Sequence, residues 1–207
     1  MYLVRPSYLI KQLYPNAIWR KSGEHPFLYL TFDDGPIPEL TPWVLDILKQ
    51  YNVAATFFCV GDNIKKHPTI YQRILQEKHV VGNHTFNHMD GWKNTVDNYL
   101  ENVDLCHEAM SQDNEFNLFR PPYGKLKKSQ SKQLLQQYSI IMWDVLTGDY
   151  DKNTSPEQCL NNAISYVRNG SIVVFHDNLK AQLNLQYALP RFIEHALSCG
   201  FQFKTLS

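Results

Sequence analysis

No excess of charge of either sign marks this 207-residue chain, in which 20 Lys and Arg balance 20 Asp and Glu. A nucleic-acid binder usually carries a basic surplus to neutralise phosphates, so that class is disfavoured. Long apolar runs are also missing. A membrane span needs about 20 apolar residues in succession, and none is expected here. The N-terminus, MYLVRPSYLIKQLYPNAIWR, has no unbroken apolar stretch and no small-residue cleavage site. It reads as lacking a secretory signal, which by sequence places the chain in the cytoplasm. Cysteine is sparse: Cys59, Cys106, Cys159 and Cys199 are widely spaced, with no C-x-x-C pair. That argues against a disulfide framework or a cysteine metal site and leaves small core residues as the reading. Repeats and low-complexity segments are absent. Aromatics are not scarce, at 13%, which excludes a disordered chain.

What is present is an alternation of short β-rich runs with amphipathic helical stretches. The runs are Phe27–Phe32, Val53–Val60, His79–Val81, Leu118–Phe119, Ile140–Trp143, Ile172–Phe175 and Phe201–Phe203. Thr41-Pro42 reads as an N-cap followed by proline at N1, and Ser155-Pro156-Glu157-Gln158 as a capping box. Strands separated by helices imply parallel βαβ units in one α/β domain. Periodicity alone does not choose between a barrel and an open doubly wound sheet.

In a parallel α/β fold, function collects where the strands end. Asp33-Asp34-Gly35-Pro36 follows the first run and His84-Thr85-Phe86-Asn87-His88 the third. Arg120-Pro121-Pro122-Tyr123-Gly124 follows the fourth, Asp144 and Gly148-Asp149-Tyr150 the fifth, and His176-Asp177 the sixth. Each motif has an ordinary reading as a polar turn, but a structural protein has no need of ionisable residues after five of seven strand-like runs. Adjacent residues of a strand point to opposite faces, so Asp33 and Asp34 suit different tasks. One carboxylate would bind a metal and the other would reach for a water. Two histidines at i and i+4 meet one ion on a helical turn or tight loop. H-E-x-x-H is not present, since Thr85 stands where the base would be. His84, His88 and Asp34 then form a three-ligand set with open positions, as catalytic rather than structural metal sites have. Arg120, kept extended by the prolines after it, would clamp the carboxylate of Asp33. His176 would donate a proton to a leaving amine, with Asp149 orienting its ring.

These motifs together resemble the polysaccharide deacetylase family, also called the NodB-homology domain or carbohydrate esterase family 4. The order TFDDGP, HTFNH, RPPYG, the Trp143–Tyr150 segment and VVFHD agrees from about residue 26 onward. The resemblance implies a single-domain deformed (β/α)7 barrel over residues 26–207. Residues 1–25 would be an extension packed on it through Tyr8, Leu9, Leu13 and Trp19. It implies Asp33 as general base, Asp34, His84 and His88 as metal ligands, and Arg120 as the residue positioning the base. His176 would be the general acid, Asp149 its support, and the Tyr123 N–H an oxyanion donor. The ion would be divalent, zinc first, with cobalt or another divalent ion as alternatives. The fourth motif departs from the family pattern, with Leu146 and Tyr150 in place of an acidic residue and a tryptophan, so Asp144 competes with Asp149 for the role beside His176. The implied activity is metal-dependent hydrolysis of N-acetyl groups on an N-acetylglucosamine-containing saccharide. An O-acetyl esterase, a cyclic-amide hydrolase and a non-catalytic carbohydrate-binding barrel are the alternatives. The expected partner is that saccharide, with no nucleic acid and no membrane span, and a monomer is the default. Family members often act at the cell envelope.

Overall fold

Continuous apolar runs, suited to strands buried on both faces, build the middle of one sheet. The strands are β1 (Phe27–Asp33), β2 (Thr56–Cys59), β3 (Val80–Asn83), β4 (Leu118–Phe119), β5 (Ser139–Ile140), β6 (Val145–Leu146), β7 (Ile172–His176) and β8 (Gln202–Phe203). These come from a computed structural model that describes residues 3–21, 23–110 and 117–206; residues 1, 2 and 22 of the expected extension, and residue 207, lie outside them. Seven strands run in the order β5-β4-β3-β2-β1-β7-β6, and β8 pairs with the start of β1. Every pairing is parallel. With eight α-helices among the described residues, this curled sheet is a deformed (β/α)7 barrel.

Leu28, Leu30 and Phe32 alternate along β1 toward the helices, and all are fully buried. Register places Phe32 level with Phe57 and Phe175. Their rings stack at centroid distances of 5.0 and 6.3 Å, and Phe192 of the helix Gln182–Ser198 closes on Phe175 at 5.9 Å. Each such side chain contributes about 1.5–3 kcal/mol by leaving water. The other face of β1 carries Tyr29, Thr31 and Asp33, so polar chemistry points to the barrel interior by the two-residue period of the strand.

Several local expectations change. The run Ile140–Trp143 is cut short because Ile141 bridges Ile18 instead. Ile18 N–H donates to Ile140 O and Met142 N–H donates to Ile18 O, each at 2.8 Å. The two-residue β6 is too short to show any period in the sequence. Thr41 is the first helical residue rather than the cap; Leu40 holds that position. The Thr41 hydroxyl donates instead to Asp177 Oδ2 at 2.5 Å. Ser155 does cap its helix, accepting from Gln158 N–H at 3.2 Å. The Gln158 side chain donates to Asn162 Oδ1 rather than turning back. Three cysteines are buried, but Cys199 is exposed. In the helix Tyr8–Leu13, Tyr8 and Leu9 are 74% and 77% exposed and do not pack on the barrel. That helix turns Lys11 inward toward Asp144. The apolar contacts fall to Tyr14, Ile18 and Trp19, whose ring meets Trp143 edge-on at 6.3 Å. Among the described residues, no helix is long and apolar enough to cross a membrane.

Candidate active site

Sheet register assembles the site before any side chain is considered. Asp33 lies level with His176 across β1 and β7. Asn83 lies level with Phe119 across β3 and β4, so the residues that follow them, His84 and Arg120, leave the sheet side by side. Arg120 then acts twice. Its carbonyl is 2.7 Å from His84 Nδ1. A carbonyl only accepts, so Nδ1 carries the proton and the Nε2 lone pair is free to bind an ion. Its side chain, fully buried, donates from Nη1 to Asp33 Oδ1 at 2.6 Å and to Thr31 Oγ1 at 2.8 Å. Nε and Nη2 donate to Ile141 O and Met142 O at 3.3 and 3.1 Å, and the guanidinium lies 4.1 Å from the Phe58 ring centre. The charge is thus buried, hydrogen-bonded and paired, as burial of a charge requires.

Asp34 sits just past the strand, at φ 84°. Three contacts hold it in that left-handed conformation. Its N–H donates to Phe58 O at 3.3 Å, its O accepts from Asn63 Nδ2 at 2.7 Å, and its Oδ2 accepts from Asn178 Nδ2. Thr85, His88 and Tyr123 also have positive φ, so four of the six such non-glycine residues described belong to this site. Strain of this kind persists only where surrounding structure over-determines it, and it gathers at functional sites. Gly35 makes the next turn, against Asp177: a Cβ there would come within 2.0 Å of Asp177 Oδ2. The Gly35 N–H donates to Asp177 Oδ1 at 3.0 Å. Burial pushes the Asp177 carboxyl up to about 8, against the pull of the Thr41 and Gly35 bonds.

One oxygen is left over. Asp34 Oδ1 is buried and has no hydrogen-bond partner. His88 Nε2 is 3.1 Å from it and His84 Nε2 3.5 Å, and neither meets it in hydrogen-bond geometry. The three ligand atoms of Asp34, His84 and His88 lie within 4.8 Å of one another. An orphaned carboxylate oxygen between two imidazole nitrogens fits a divalent cation. His88 Nδ1, on its far side, is 3.1 Å from the Tyr123 hydroxyl, so each imidazole has an outer partner of the kind that orients metal-binding histidines. Burial alone would raise the Asp34 carboxyl. The adjacent His84 and His88, with the charge on His176, outweigh it and hold the group well below the usual carboxylate range.

On the opposite side, Asp149 is fully buried and grips His176 with both oxygens. Oδ1 is 2.8 Å from His176 Nδ1, and Oδ2 accepts the His176 backbone N–H at 2.6 Å. Burial would lower this imidazole, but Asp149, with Asp34 and Asp33 behind it, pushes it up to about 9. Asp144 is not near His176 in the bonding network; it pairs with Arg168 and Ser171. The Tyr150 ring packs against His176 at 4.8 Å. A cavity of about 720 Å³ opens between the two sides, lined by Asp33, Asp34, His84, His88, Tyr123 and His176. Trp143, Leu146 and Tyr150, where the fourth motif departs from the family pattern, also line it. Thr31, Asn63 and Asn178 carry no signal of this placement in the sequence. Thr31 is a strand residue, Asn63 a helix residue and Asn178 a loop residue, and only adjacency to Asp34 or Arg120 reveals them.

The fold and this site define a (β/α) barrel with a two-histidine, one-carboxylate centre at the carboxyl ends of its strands. The chain belongs to the polysaccharide deacetylase family: the family model matches residues 20–142, which takes in Asp33 through Tyr123 and stops short of Asp149 and His176. It is 32% identical over 205 residues to a peptidoglycan-N-acetylglucosamine deacetylase of Bacillus cereus, covering 96% of each chain. A second Bacillus cereus protein of that description is 38% identical over 181 residues, which are 86% of this chain and 66% of that relative. The chain thus spans just under two thirds of the length of that second protein. A crystal structure of a peptidoglycan N-acetylglucosamine deacetylase superposes with a TM-score of 0.84 at 35% identity, covering 92% of this chain and 91% of that one.

Proposed function

We propose that the protein hydrolyses N-acetyl groups on an N-acetylglucosamine-containing glycan. The observation that carries this reading is the convergence on one cavity of three preorganised parts: a carboxylate held by arginine, an Asp-His-His cluster, and an imidazole held by a carboxylate. A divalent cation held by Asp34, His84 and His88, zinc first among N/O-site ions, would supply Lewis acidity that lowers the pKa of a water and polarises the acetamide carbonyl. Asp33 is the general base. Arg120 fixes one of its oxygens and leaves the other toward the cavity to take a proton from the attacking water. The Tyr123 backbone N–H donates to the oxyanion that develops at the carbonyl oxygen. His176 carries its proton through neutral pH because Asp149 stabilises the imidazolium, and it delivers that proton to the nitrogen as the C–N bond breaks. Acetate and a free amine on the sugar are the products.

The peptidoglycan named for both relatives favours an envelope glycan as the substrate. The test is acetate release from chito-oligosaccharides, peptidoglycan fragments and acetylxylan, with zinc, with cobalt and with a chelator. Release from the N-acetylated glycans that the chelator abolishes is the expected result. No acetate from any of them, with the metal demonstrably bound, would overturn the reading. Release from acetylxylan alone would replace it by an O-acetyl esterase.

A further inference from the structure

Charge is balanced over the whole chain but not along it. Residues 1–21 carry Arg5, Lys11, Arg20 and Lys21 and no acidic residue, which leaves the remainder with four more acids than bases. The helix in this segment, Tyr8–Leu13, turns its one charge, Lys11, inward to Asp144. Tyr8 and Leu9 stand in water, and so does Leu13, which is 52% exposed. At about 100° per residue, Tyr8, Gln12, Leu9 and Leu13 follow one another round one side of the helix, and all four are exposed. That outer face is therefore largely apolar and uncharged. Single exposed hydrophobics are ordinary on protein surfaces, but these adjoin a concentration of positive charge. Arg5, Lys11 and Arg168 all meet the one carboxylate of Asp144, at 3.5, 3.4 and 3.0 Å, and none of the three has another acidic partner among the described residues. Three cations on one anion leave two positive charges in excess. The three cationic side chains reach solvent, Arg168 most, whereas Asp144 is fully buried. Arg5 Nε has no hydrogen-bond partner. Its guanidinium lies 5.5 Å from the ring centre of Tyr166, a further exposed aromatic.

We infer that this face docks on the surface of an anionic lipid bilayer: Tyr8, Leu9 and Leu13 enter the interface while Arg5, Lys11 and Arg168 meet the phosphate headgroups. The occupant follows from apolarity and charge together. An interfacial segment buries an apolar face and keeps Lys and Arg at headgroup level, a depth that tyrosine also favours. Each basic residue near such a surface adds to the attraction. A nucleic acid would satisfy the cations and leave the leucines in water. A second copy of the chain would cover the leucines, but a twofold interface sets each patch against itself and would bring the two cationic clusters together. An anionic bilayer meets both needs at once. The helix lies on such a surface and is far too short to span it. The inference concerns where the protein works rather than its chemistry, and it does not rest on the deacetylase reading.

The measurement is co-sedimentation of the full chain with large vesicles of equal phosphatidylglycerol and phosphatidylcholine, and with vesicles of phosphatidylcholine alone. The protein should pellet with the first and bind the second at least about tenfold more weakly. Raising salt from about 0.1 M to about 0.5 M should weaken the anionic binding by a similar factor. The double variant Leu9→Gln, Leu13→Gln should bind the anionic vesicles about tenfold or more weakly. Both side chains stand in water, so its Tm should equal that of the wild type. No pelleting with anionic vesicles, or equal pelleting of the wild type and the double variant, overturns the inference. If the wild type sediments as a dimer in free solution and the double variant as a monomer, while neither binds vesicles, the face is a contact between copies and the membrane reading is wrong. Heparin binding that the double variant retains, without vesicle binding, would replace it by a polyanion site. Vesicle binding needs no turnover, so these outcomes stand whether or not the protein releases acetate.

Discussion

Asp33 and Asp144 are both buried aspartates beside an arginine, at two different edges of the same barrel. Asp33 receives one guanidinium N–H on Oδ1, and its other oxygen has no protein partner among the described residues while the residue lines the cavity. Asp144 is saturated. Arg168 donates to both oxygens at 3.0 Å, Ser171 Oγ to Oδ2 at 2.9 Å, and Lys11 Nζ to Oδ1 at 3.4 Å, with Arg5 at 3.5 Å. Burial would raise Asp144, but Arg168, Ser171 and Arg5 hold it below its ordinary value. Pairing with arginine is therefore common to both and does not by itself mark the base proposed at Asp33. The unused hydrogen-bonding capacity does, because only a group with an oxygen to spare can take a proton from a substrate water.

The comparison can be broken most sharply at Asp33. Asp33→Asn should lower acetate release by about a thousandfold, within the range for a lost general base, while the protein still binds metal at one equivalent by equilibrium dialysis. Loss of the metal instead would mean that the two adjacent aspartates have exchanged roles. Asp149→Asn should reduce turnover at neutral pH by about tenfold to a hundredfold and reshape the pH profile. The pKa of His176 is raised to about 9, so its proton is present through neutrality and lost as pH rises through that value. Without the carboxylate the imidazolium is less stable, and the alkaline limb of kcat/KM should move to lower pH. An unmoved limb would remove Asp149 from its role. Asn178→Ala frees Asp34 Oδ2 and should weaken metal binding about tenfold to a hundredfold, the usual effect of losing an outer partner, as read by competition with a chromophoric chelator. The smallest effect on turnover belongs to Asp144→Asn. Its kcat should stay within about twofold of wild type while thermal unfolding shows a loss of about 2 kcal/mol, several degrees in Tm. A large fall in kcat there would mean that the seam reaches the active site.

The seam between β5 and β6 shows where local reading fails. Among the described residues these two edge strands do not pair with each other, and the N-terminal segment touches both sides. Ile18 bridges Ile141, and Val4 O accepts from Leu146 N–H at 2.8 Å. Nothing in the periodicity of residues 3–21 announces this, because an isolated bridge has no repeat to detect. Tyr8 and Leu9 have the apolar character of packing residues, yet Lys11 and Tyr14 on the same short stretch determine which way it faces.

By itself the sequence determined which ionisable residues stand where five of the strand-like runs end. Asp33 with Asp34, His84 with His88, Arg120 with Tyr123, and His176 are each set within a few residues of a buried run, and the direction of a parallel strand carries them to the same rim. The family and the barrel class follow from that order. Only the tertiary structure showed that Asp149, and not Asp144, contacts His176, since both lie in one segment and both are buried; the supporting role of Asp149 is the proposal built on that contact. It also brought Asn178 and Asn63 to Asp34 and left Asp34 Oδ1 unpaired between two imidazoles. Those contacts join residues far apart in the chain, and partners of that kind are set by sheet register and strand order, which no local pattern encodes.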